Sequence, residues 1–201
     1  MARPREFDRD EALQRAMVAF WEMGYDATST AVLEQRLNIG RSSLYAAFGS
    51  KDELYAEAME LYVRDLRQRV IARLRAPGPT LAVLESFFLG VAERGKPGGE
   101  PLRCCMIVRA ALLGTDLAPA VRERVRRTVA ELDDAFHELL QRARSEGAIG
   151  ETHKLRDTAR FLTTTFQALN VATLAGRSRR ELRSIVRQAL GTLQGPTRRT
   201  P

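Results

Sequence analysis

A thirty-residue segment, residues 24–53, constrains the fold of this chain more than any other part of it. It contains short runs with apolar residues at helical spacing, separated by glycine, asparagine and hydroxyl residues that start or end helices. One helix can be capped by Thr28, Ser29 or Thr30 and runs to Leu37. The segment is therefore predicted to hold several short helices joined by tight turns.

The tightest turn is predicted at Asn38-Ile39-Gly40, because Asn tolerates the left-handed conformation and Gly can serve as an N-cap. The next helix is predicted over Arg41–Phe48, and Gly49 ends it. Ser50 and Glu53 have the spacing of a capping box that starts a fourth helix. Two short helices joined in this way are typical of a helix-turn-helix, whose second helix enters the major groove of DNA.

The helix predicted over 41–48 has one apolar and one polar side. Leu44 and Phe48, four residues apart, are expected to face the core, which leaves Arg41, Ser42 and Tyr45 outward. Arg41 offers a bidentate fork to guanine or a charge-assisted contact to phosphate. The small hydroxyl residues that follow it allow the backbone to approach DNA closely.

Helical patterns extend over the rest of the chain with few strand signals between them. Asp8 is a candidate N-cap for a first helix that ends at Gly24, and Ala76–Pro79 ends the fourth helix. Further helices are predicted over 80–94, 102–114, 118–146, 155–176 and 179–194. The predicted fold is all-α with about nine helices, divided into a helix-turn-helix domain over 1–50 and a second helical domain over 51–201.

The composition, 28% charged and 44% hydrophobic over 201 residues, is typical of a soluble globular protein. No apolar run approaches the ~18 residues of a membrane span, and the first residues lack the apolar stretch of a signal peptide. The two cysteines, Cys104 and Cys105, are adjacent, which argues against a disulfide framework. We therefore expect a cytoplasmic protein.

The net charge of +7 is distributed unevenly along the chain. Residues 1–51 contain as many acidic as basic residues, whereas the stretch from Arg177 onwards has seven Arg and one acidic residue, Glu181. Bulk charge is therefore weak evidence for DNA binding by the helix-turn-helix. It also leaves open a different function, a helical interaction module that binds RNA or an acidic partner through its Arg-rich C-terminus.

Four short motifs together resemble one known family over residues 9–62. They are Gly24-Tyr25, Thr28-Ser29, the run Ile39–Tyr45 and the run Phe48–Leu54. This pattern is similar to that of the tetracycline-repressor (TetR) family of bacterial transcriptional regulators. The chain departs from the family pattern at Asn38, Gly40 and Thr30, where Gly, Ser and an apolar residue are usual.

Candidate DNA contacts lie at three helix starts. The starts at Thr28 or Ser29 and at Lys51 place backbone N–H groups where they can hold phosphates. The resemblance implies that double-stranded operator DNA is contacted as follows: bases or adjacent phosphates by Arg41, Ser42 and Ser43, and phosphates by Thr28, Tyr45 and Lys51.

The resemblance also implies that the C-terminal helices bind a small molecule and that the last two long helices form a homodimer. Both helices carry apolar stripes with small residues, which permit close helix approach. The predicted dimer interface comprises Leu155, Ala159, Leu162, Phe166, Leu169, Leu182, Ile185, Val186, Ala189, Leu190 and Leu193. The alternative is that both stripes complete the core of a monomer.

An effector pocket is expected among the helices of the second domain. Its candidate residues are Phe87, Phe88, Met106, Phe136, Phe166 and Gln167. Aromatic residues at helical spacing more often belong to an ordinary core.

The cysteine pair lies in the run Leu102–Leu112, which resembles the start of the sixth helix in one subgroup of the family, with Cys105 at the usual cysteine position. A thiol near Arg103 and Arg109 would sense electrophiles or oxidants if its pKa were lowered. The default interpretation is a buried, inert cysteine, and the reactive thiol is the alternative.

No residue pattern points to catalysis. His137 and His153 are isolated, no metal-ligand spacing occurs, and no glycine-rich phosphate loop follows a strand. We expect no enzyme activity, no cofactor and no metal.

The predicted function is a ligand-responsive transcriptional regulator, a homodimeric repressor released from a palindromic operator by a small-molecule effector. A transcriptional activator, or a redox- or electrophile-sensing regulator that uses Cys104 and Cys105, are the alternatives within the same fold.

Overall fold

A computed structural model of the protein describes residues 7–93, 104–114 and 117–193. All regular elements in these ranges are helical, which confirms the predicted all-α class. The helices are α1 (Arg9–Met23), α2 (Thr30–Leu37), α3 (Arg41–Phe48), α4 (Lys51–Leu66), α5 (Ala72–Leu74), α6 (Thr80–Ala92), α7 (Met106–Leu113), α8 (Pro119–Ser145), α9 (Leu155–Leu174) and α10 (Arg179–Gly191). A π-helical turn, Arg67–Ile71, joins α4 to the short α5, so the described residues hold nine separate helices.

The chain divides into two compact units. The first comprises residues 1–65 and 103–126, and the second comprises residues 66–102 and 127–201. The helix-turn-helix lies in the first unit, where most of α4 packs with it. These units are defined by packing, and their limits differ from the division predicted after residue 50. That division separates a DNA-binding domain from a ligand-binding domain, and it stays a prediction.

Turn chemistry in the first unit sets the ends of α1, α2 and α3. The Asp8 carboxylate caps α1 by accepting hydrogen bonds from two backbone N–H groups, and Ser29 caps α2 by accepting from Val32. Asn38 adopts the left-handed conformation, with φ of 57°. Because Asn tolerates this conformation, α2 ends there and α3 begins three residues later at Arg41, as predicted.

The first unit buries the apolar sides of its short helices against one another. Arg9 fixes the arrangement from outside: its guanidinium pairs with Glu57, donates to the Ala47 carbonyl and lies 4.6 Å from the centre of the Phe48 ring. The buried core of this region comprises Phe20, Leu33, Leu37, Ile39, Leu44 and Phe48.

Gly49 ends α3 with a φ of +74°, which side-chain-bearing residues rarely adopt. A Cβ at this position would also collide with the Glu53 carboxylate. That carboxylate accepts a hydrogen bond from the Ser50 N–H at 2.7 Å, while the Glu53 N–H donates to the Ser50 hydroxyl at 3.1 Å. The predicted capping box at the start of α4 is therefore confirmed, and Gly49 leaves room for it.

Replacing Gly49 with alanine is expected to lower the free energy of unfolding by about 1–3 kcal/mol, because the new side chain strains the backbone and displaces the capping carboxylate. Urea denaturation measures this change. Gly191→Ala is the matched control, since Gly191 is helical and a Cβ added there would contact no neighbouring side chain. Equal effects of the two substitutions would contradict the role assigned to Gly49.

The second unit has an aromatic core. Phe87 lies at its centre, with ring centroids 5.2 Å from Phe88, 5.6 Å from Phe136 and 5.7 Å from Phe166. All four side chains are buried. Such edge-to-face and tilted ring pairs add stability beyond the burial of their area.

Helices α9 and α10 bury inside the second unit most of the stripe that was predicted to form a dimer interface. The side chains already buried within a single chain are Ala159, Leu162, Phe166, Leu169, Leu182, Val186, Ala189 and Leu193. These eight side chains have little surface left for a partner, and their part in a dimer interface stays a prediction; Ala189 also lines the groove described below. Leu155, Ile185 and Leu190 remain partly accessible.

Another side of α9 and α10 carries exposed apolar side chains. Phe161 is 44% exposed and Val171 is 39% exposed, both on α9. A groove of about 470 Å³ runs along this side. It is lined by Phe161, Thr165, Ala168, Ser184, Ile185, Gln188, Ala189 and Thr192. We define these eight residues as the α9–α10 groove.

No helix in the described ranges is both long and apolar enough to cross a membrane.

Candidate nucleic-acid interface

The predicted reading helix presents its polar side outward. Arg41 and Ser42 are exposed, Ser43 is half-buried and Tyr45 is 39% exposed. Leu44 on the other side of α3 is 3% exposed and belongs to the core. Tyr45 is therefore a surface residue. Arg41, Ser42 and Tyr45, three of the residues that were predicted to contact DNA, lie on the accessible face of α3.

Tyr45 has two neighbours on this face. Its hydroxyl is 3.3 Å from the hydroxyl of Thr30, the first residue of α2. The Arg41 guanidinium lies 5.8 Å from the centre of the Tyr45 ring, one helical turn away. The hydrogen bond with Thr30 and, secondly, a hydrogen bond with Arg41 lower the pKa of the Tyr45 hydroxyl. The three side chains form one cluster across α2 and α3, which we call the Tyr45 cluster.

Lys51 begins α4 and is held in place by an aromatic ring. Its Nζ lies 4.1 Å from the centre of the Tyr25 ring, and the Tyr25 hydroxyl donates a hydrogen bond to Asp52. Burial, followed by this contact with Asp52, raises the pKa of Tyr25 to about 12. Tyr25 therefore stays neutral, and the ammonium group is positioned at a helix start, where backbone N–H groups favour anions.

The basic residues around the helix-turn-helix fall into two groups. Arg9, Arg15 and Arg36 pair with acidic side chains, at 2.7 Å, 2.6 Å and 3.3 Å respectively. Arg41 and Lys51 form no ion pair with any residue in the described part of the chain. Within the described part of a segment that is neutral overall, Arg41 and Lys51 are therefore cations without a carboxylate partner.

The structure changes the role predicted for Thr28. Its side chain is fully buried, and its hydroxyl donates a 2.6 Å hydrogen bond to the Gly24 carbonyl at the end of α1. A buried hydroxyl that satisfies a helix C-terminus has no access to a phosphate, so the prediction of a direct contact is wrong. Ser29 is exposed at the N-cap of α2, and its role in DNA contact stays a prediction.

The six candidates for the effector pocket are distributed over both units. Phe87, Phe88, Phe136 and Phe166 form the closely packed core of the second unit, whereas Met106 is buried in the first. Gln167 is partly exposed on α9. An effector that used the four rings would have to separate them, and their role in binding stays a prediction.

Burial, not the nearby arginine, decides the state of Cys104. Both cysteines are free and buried. Desolvation, followed by the neighbouring Cys105, raises the pKa of Cys104 to about 12, although Arg109 acts in the opposite direction. The lowered pKa that would make this thiol reactive is therefore absent from Cys104. Arg103, the other predicted neighbour, lies outside the described residues.

Two residues of this surface were missed from the sequence. Thr30 was noted as a candidate helix cap and as a departure from an apolar position, and Tyr25 only as part of a motif. Both residues carry a hydroxyl group on a side chain that can otherwise pack against apolar neighbours, and this was the available signal. The sequence does not show that Thr30 and Tyr45, fifteen residues apart, are in contact. No group of three or more His, Cys, Asp and Glu side chains in the described ranges could hold a metal ion.

Comparisons with known proteins bear directly on this geometry. The family described as bacterial regulatory proteins, tetR family, matches residues 12–58, and a tetracyclin repressor-like C-terminal domain matches residues 80–189. The uncharacterized HTH-type transcriptional regulator YezE of Bacillus subtilis (strain 168) is 34% identical over 164 residues, which cover 81% of this chain and 84% of YezE. The HTH-type transcriptional repressor ComR of Escherichia coli (strain K12) is 27% identical over 184 residues, covering 91% of this chain and 87% of ComR.

A solved structure agrees with the whole fold. A cysteine mutant of the TetR family transcriptional regulator CifR, complexed with 26 bp of double-strand operator DNA, matches with a TM-score of 0.82 and 32% identity. The match covers 96% of this chain and 100% of the CifR chain. Together with the exposed reading face of α3, these similarities show that the chain belongs to the TetR family of bacterial transcriptional regulators.

Proposed function

We propose that this protein is a homodimeric repressor that binds a palindromic operator through α3 and is released by a small-molecule effector. The observation that carries the proposal is the outward face of α3, where Arg41, Ser42 and Tyr45 are accessible while Leu44 and Phe48 are buried. The operator-bound CifR structure supports the same use of this fold. Arg41 and Ser42 read base edges or adjacent phosphates, and Tyr45 and Lys51 contact phosphates.

The cations of this face give the proposal a quantitative test. Each phosphate neutralised by a cation releases a counterion, so the logarithm of affinity falls linearly with the logarithm of salt concentration. Lys51→Ala is expected to reduce that slope by about one per protomer and to weaken all sequences nearly evenly. Fluorescence anisotropy with a duplex from the upstream region of the protein's own gene measures it. Lys154→Ala is the control, because Lys154 is an exposed lysine on the second unit. An unchanged slope for Lys51→Ala would contradict the phosphate contact.

Thr28→Val separates a supporting role from direct contact with DNA. The substitution keeps the size of the side chain but leaves the Gly24 carbonyl without its hydroxyl donor. We expect the free energy of unfolding to fall by about 1–3 kcal/mol, with no change in the salt dependence of DNA binding at temperatures where the variant is folded. A reduced slope in the folded variant would restore Thr28 as a phosphate ligand.

Dimerisation is proposed through the α9–α10 groove and the exposed side chains beside it. A two-fold axis along this surface would bring α9 and α10 of two copies together, and Ala168, Ser184 and Ala189 are small enough for close helix approach. Two recognition helices held about one DNA turn apart can then read both halves of a palindrome.

Effector binding in the C-terminal domain is proposed to oppose DNA binding, and linkage makes the opposition reciprocal. The match of residues 80–189 to a tetracyclin repressor-like C-terminal domain supports this role. The name of ComR supports repression. A reporter driven by the upstream region of the gene decides the sign, because loss of a repressor raises transcription whereas loss of an activator lowers it. We further propose that the protein has no catalytic role and acts in the cytoplasm, where bacterial DNA lies.

Two alternatives have less support. The raised pKa of Cys104 argues against a reactive thiolate at that residue, so sensing of electrophiles by the cysteine pair depends on Cys105. In the Arg-rich C-terminus, Arg177 and Arg183 pair with Glu181 and Glu93. Arg198 and Arg199 lie outside the described residues.

A further inference from the structure

The Tyr45 cluster contains an exposed hydrogen bond that is expected to add little to the stability of the fold. Thr30 and Tyr45 bring their hydroxyl groups to 3.3 Å at an exposed position between α2 and α3. Water competes for such a bond, so its net contribution to stability is small. Its main physical effect is to restrict where the Tyr45 hydroxyl lies.

Either hydroxyl of this pair could be the donor, and the position of Arg41 favours donation by Thr30. Arg41 can only donate, and it approaches the Tyr45 ring from the preceding helical turn. The lowered pKa of Tyr45 is the effect expected when Thr30 and Arg41 both donate toward the phenol oxygen. In this arrangement the phenol oxygen accepts, and its own hydrogen is free for an acceptor outside the protein.

A DNA backbone supplies such acceptors. Thr30 is the first residue of α2, so the N–H groups of Thr30 and Ala31 have no intrahelical partner. An anion near these groups would be favoured by the helix dipole and would lie beside the Tyr45 hydroxyl. The free phenolic hydrogen and the start of α2 therefore suit one phosphate together.

We propose that Thr30 is a positioning residue for backbone recognition: it donates its hydroxyl hydrogen to Tyr45, so that Tyr45 donates its own to a DNA phosphate at the start of α2. The inference rests on the proposed DNA-binding function and adds a residue that the family pattern does not supply, because that pattern has an apolar residue at this position. Tyr45 contacts the phosphate, whereas Thr30 acts through Tyr45.

A double-mutant cycle tests this coupling. Affinity for the upstream duplex is measured at fixed salt for wild type, Thr30→Val, Tyr45→Phe and the double variant. Loss of one hydrogen bond is expected to weaken binding by about 3- to 10-fold per protomer, for Thr30→Val and for Tyr45→Phe alike. The double variant is expected to equal Tyr45→Phe, because the hydroxyl on which Thr30 acts is then absent. Thr30→Ser should retain wild-type affinity, and Thr152→Val, at an exposed threonine on the second unit, should have no effect.

A measurement on the free protein distinguishes positioning from a structural role. The pKa of Tyr45 is obtained from the ultraviolet titration of wild type minus that of Tyr45→Phe. Thr30→Val should raise it toward the ordinary value of tyrosine, and Thr30→Ser should not. Additive effects of Thr30→Val and Tyr45→Phe on affinity, or failure of Thr30→Ser to retain binding, would overturn the inference while leaving the proposed function intact. A wild-type protein that does not distinguish the upstream duplex from a scrambled one would overturn both.

Discussion

Arg41→Ala is expected to lower the affinity of the dimer for its operator by roughly two orders of magnitude or more. A well-placed Arg contact to a base is worth about 1–3 kcal/mol, and a dimer loses two of them, one from each recognition helix. Arg41 is suited to this role because it is exposed at the first position of α3 and forms no ion pair with the described residues. The variant is also expected to discriminate less between operator and altered half-sites.

Arg187→Ala is the matched control for Arg41→Ala. Arg187 is an exposed arginine on α10, in the stretch that carries the excess of positive charge. Anisotropy titrations at two salt concentrations compare the two variants. Loss of affinity confined to Arg41→Ala supports reading by α3, whereas loss confined to Arg187→Ala would support the alternative of an Arg-rich interaction module.

Phe161→Glu is expected to convert the dimer into monomers at micromolar concentration. Phe161 is the largest exposed apolar side chain of the α9–α10 groove. In a two-fold interface the same surface is used by both copies, so the substitution introduces two carboxylates into one apolar contact. Buried or juxtaposed like charges cost several kcal/mol, which is on the order of a 10²- to 10³-fold weaker dimer.

Sedimentation velocity measures the state of the Phe161→Glu variant. Leu112→Glu is the control, because Leu112 is more exposed than Phe161, at 67%, but lies on α7 in the first unit. The monomeric variant should also bind the palindrome more weakly, since the two half-sites are no longer engaged by one linked pair of recognition helices. A dimeric Phe161→Glu variant would show that the interface lies elsewhere.

The helix-turn-helix could be predicted closely because its boundaries are set by local chemistry. Gly40, Gly49 and Asn38 fix where α2 ends and where α3 begins and ends. Each acts through its own backbone conformation or a cap within a few residues, so the sequence alone contains the information. The outward face of α3 could also be predicted, because it depends on the spacing of residues within this one helix.

The surface proposed for dimerisation could not be predicted in the same way. Apolar periodicity marks the side of a helix that is buried, but it does not say whether the same chain or a second copy buries it. The stripe through Leu162 and Leu169 is buried by the chain itself, whereas Phe161 and Val171 lie outside that stripe and are exposed.

The environments of Thr28 and Cys104 could not be predicted from the sequence, because both depend on tertiary packing. A threonine beside a helix start is expected to be exposed. In the structure, the Thr28 hydroxyl instead donates a hydrogen bond to the Gly24 carbonyl at the end of α1. A thiol near an arginine is expected to have a lowered pKa, but burial raises the pKa of Cys104 by more than Arg109 lowers it. The Thr30–Tyr45 contact was missed for the same reason, since it requires the packing of α2 against α3.

Binding of wild-type protein to the upstream region of its own gene tests the central claim most directly. Affinity for that duplex and for a scrambled duplex of equal composition is measured over a range of salt concentrations, together with the stoichiometry at saturation. We predict a clear preference for the upstream duplex, a steep decrease in affinity with salt, and an even number of protomers per site. Equal affinity for both duplexes, or a complex with a single protomer, would contradict a dimeric operator-binding regulator.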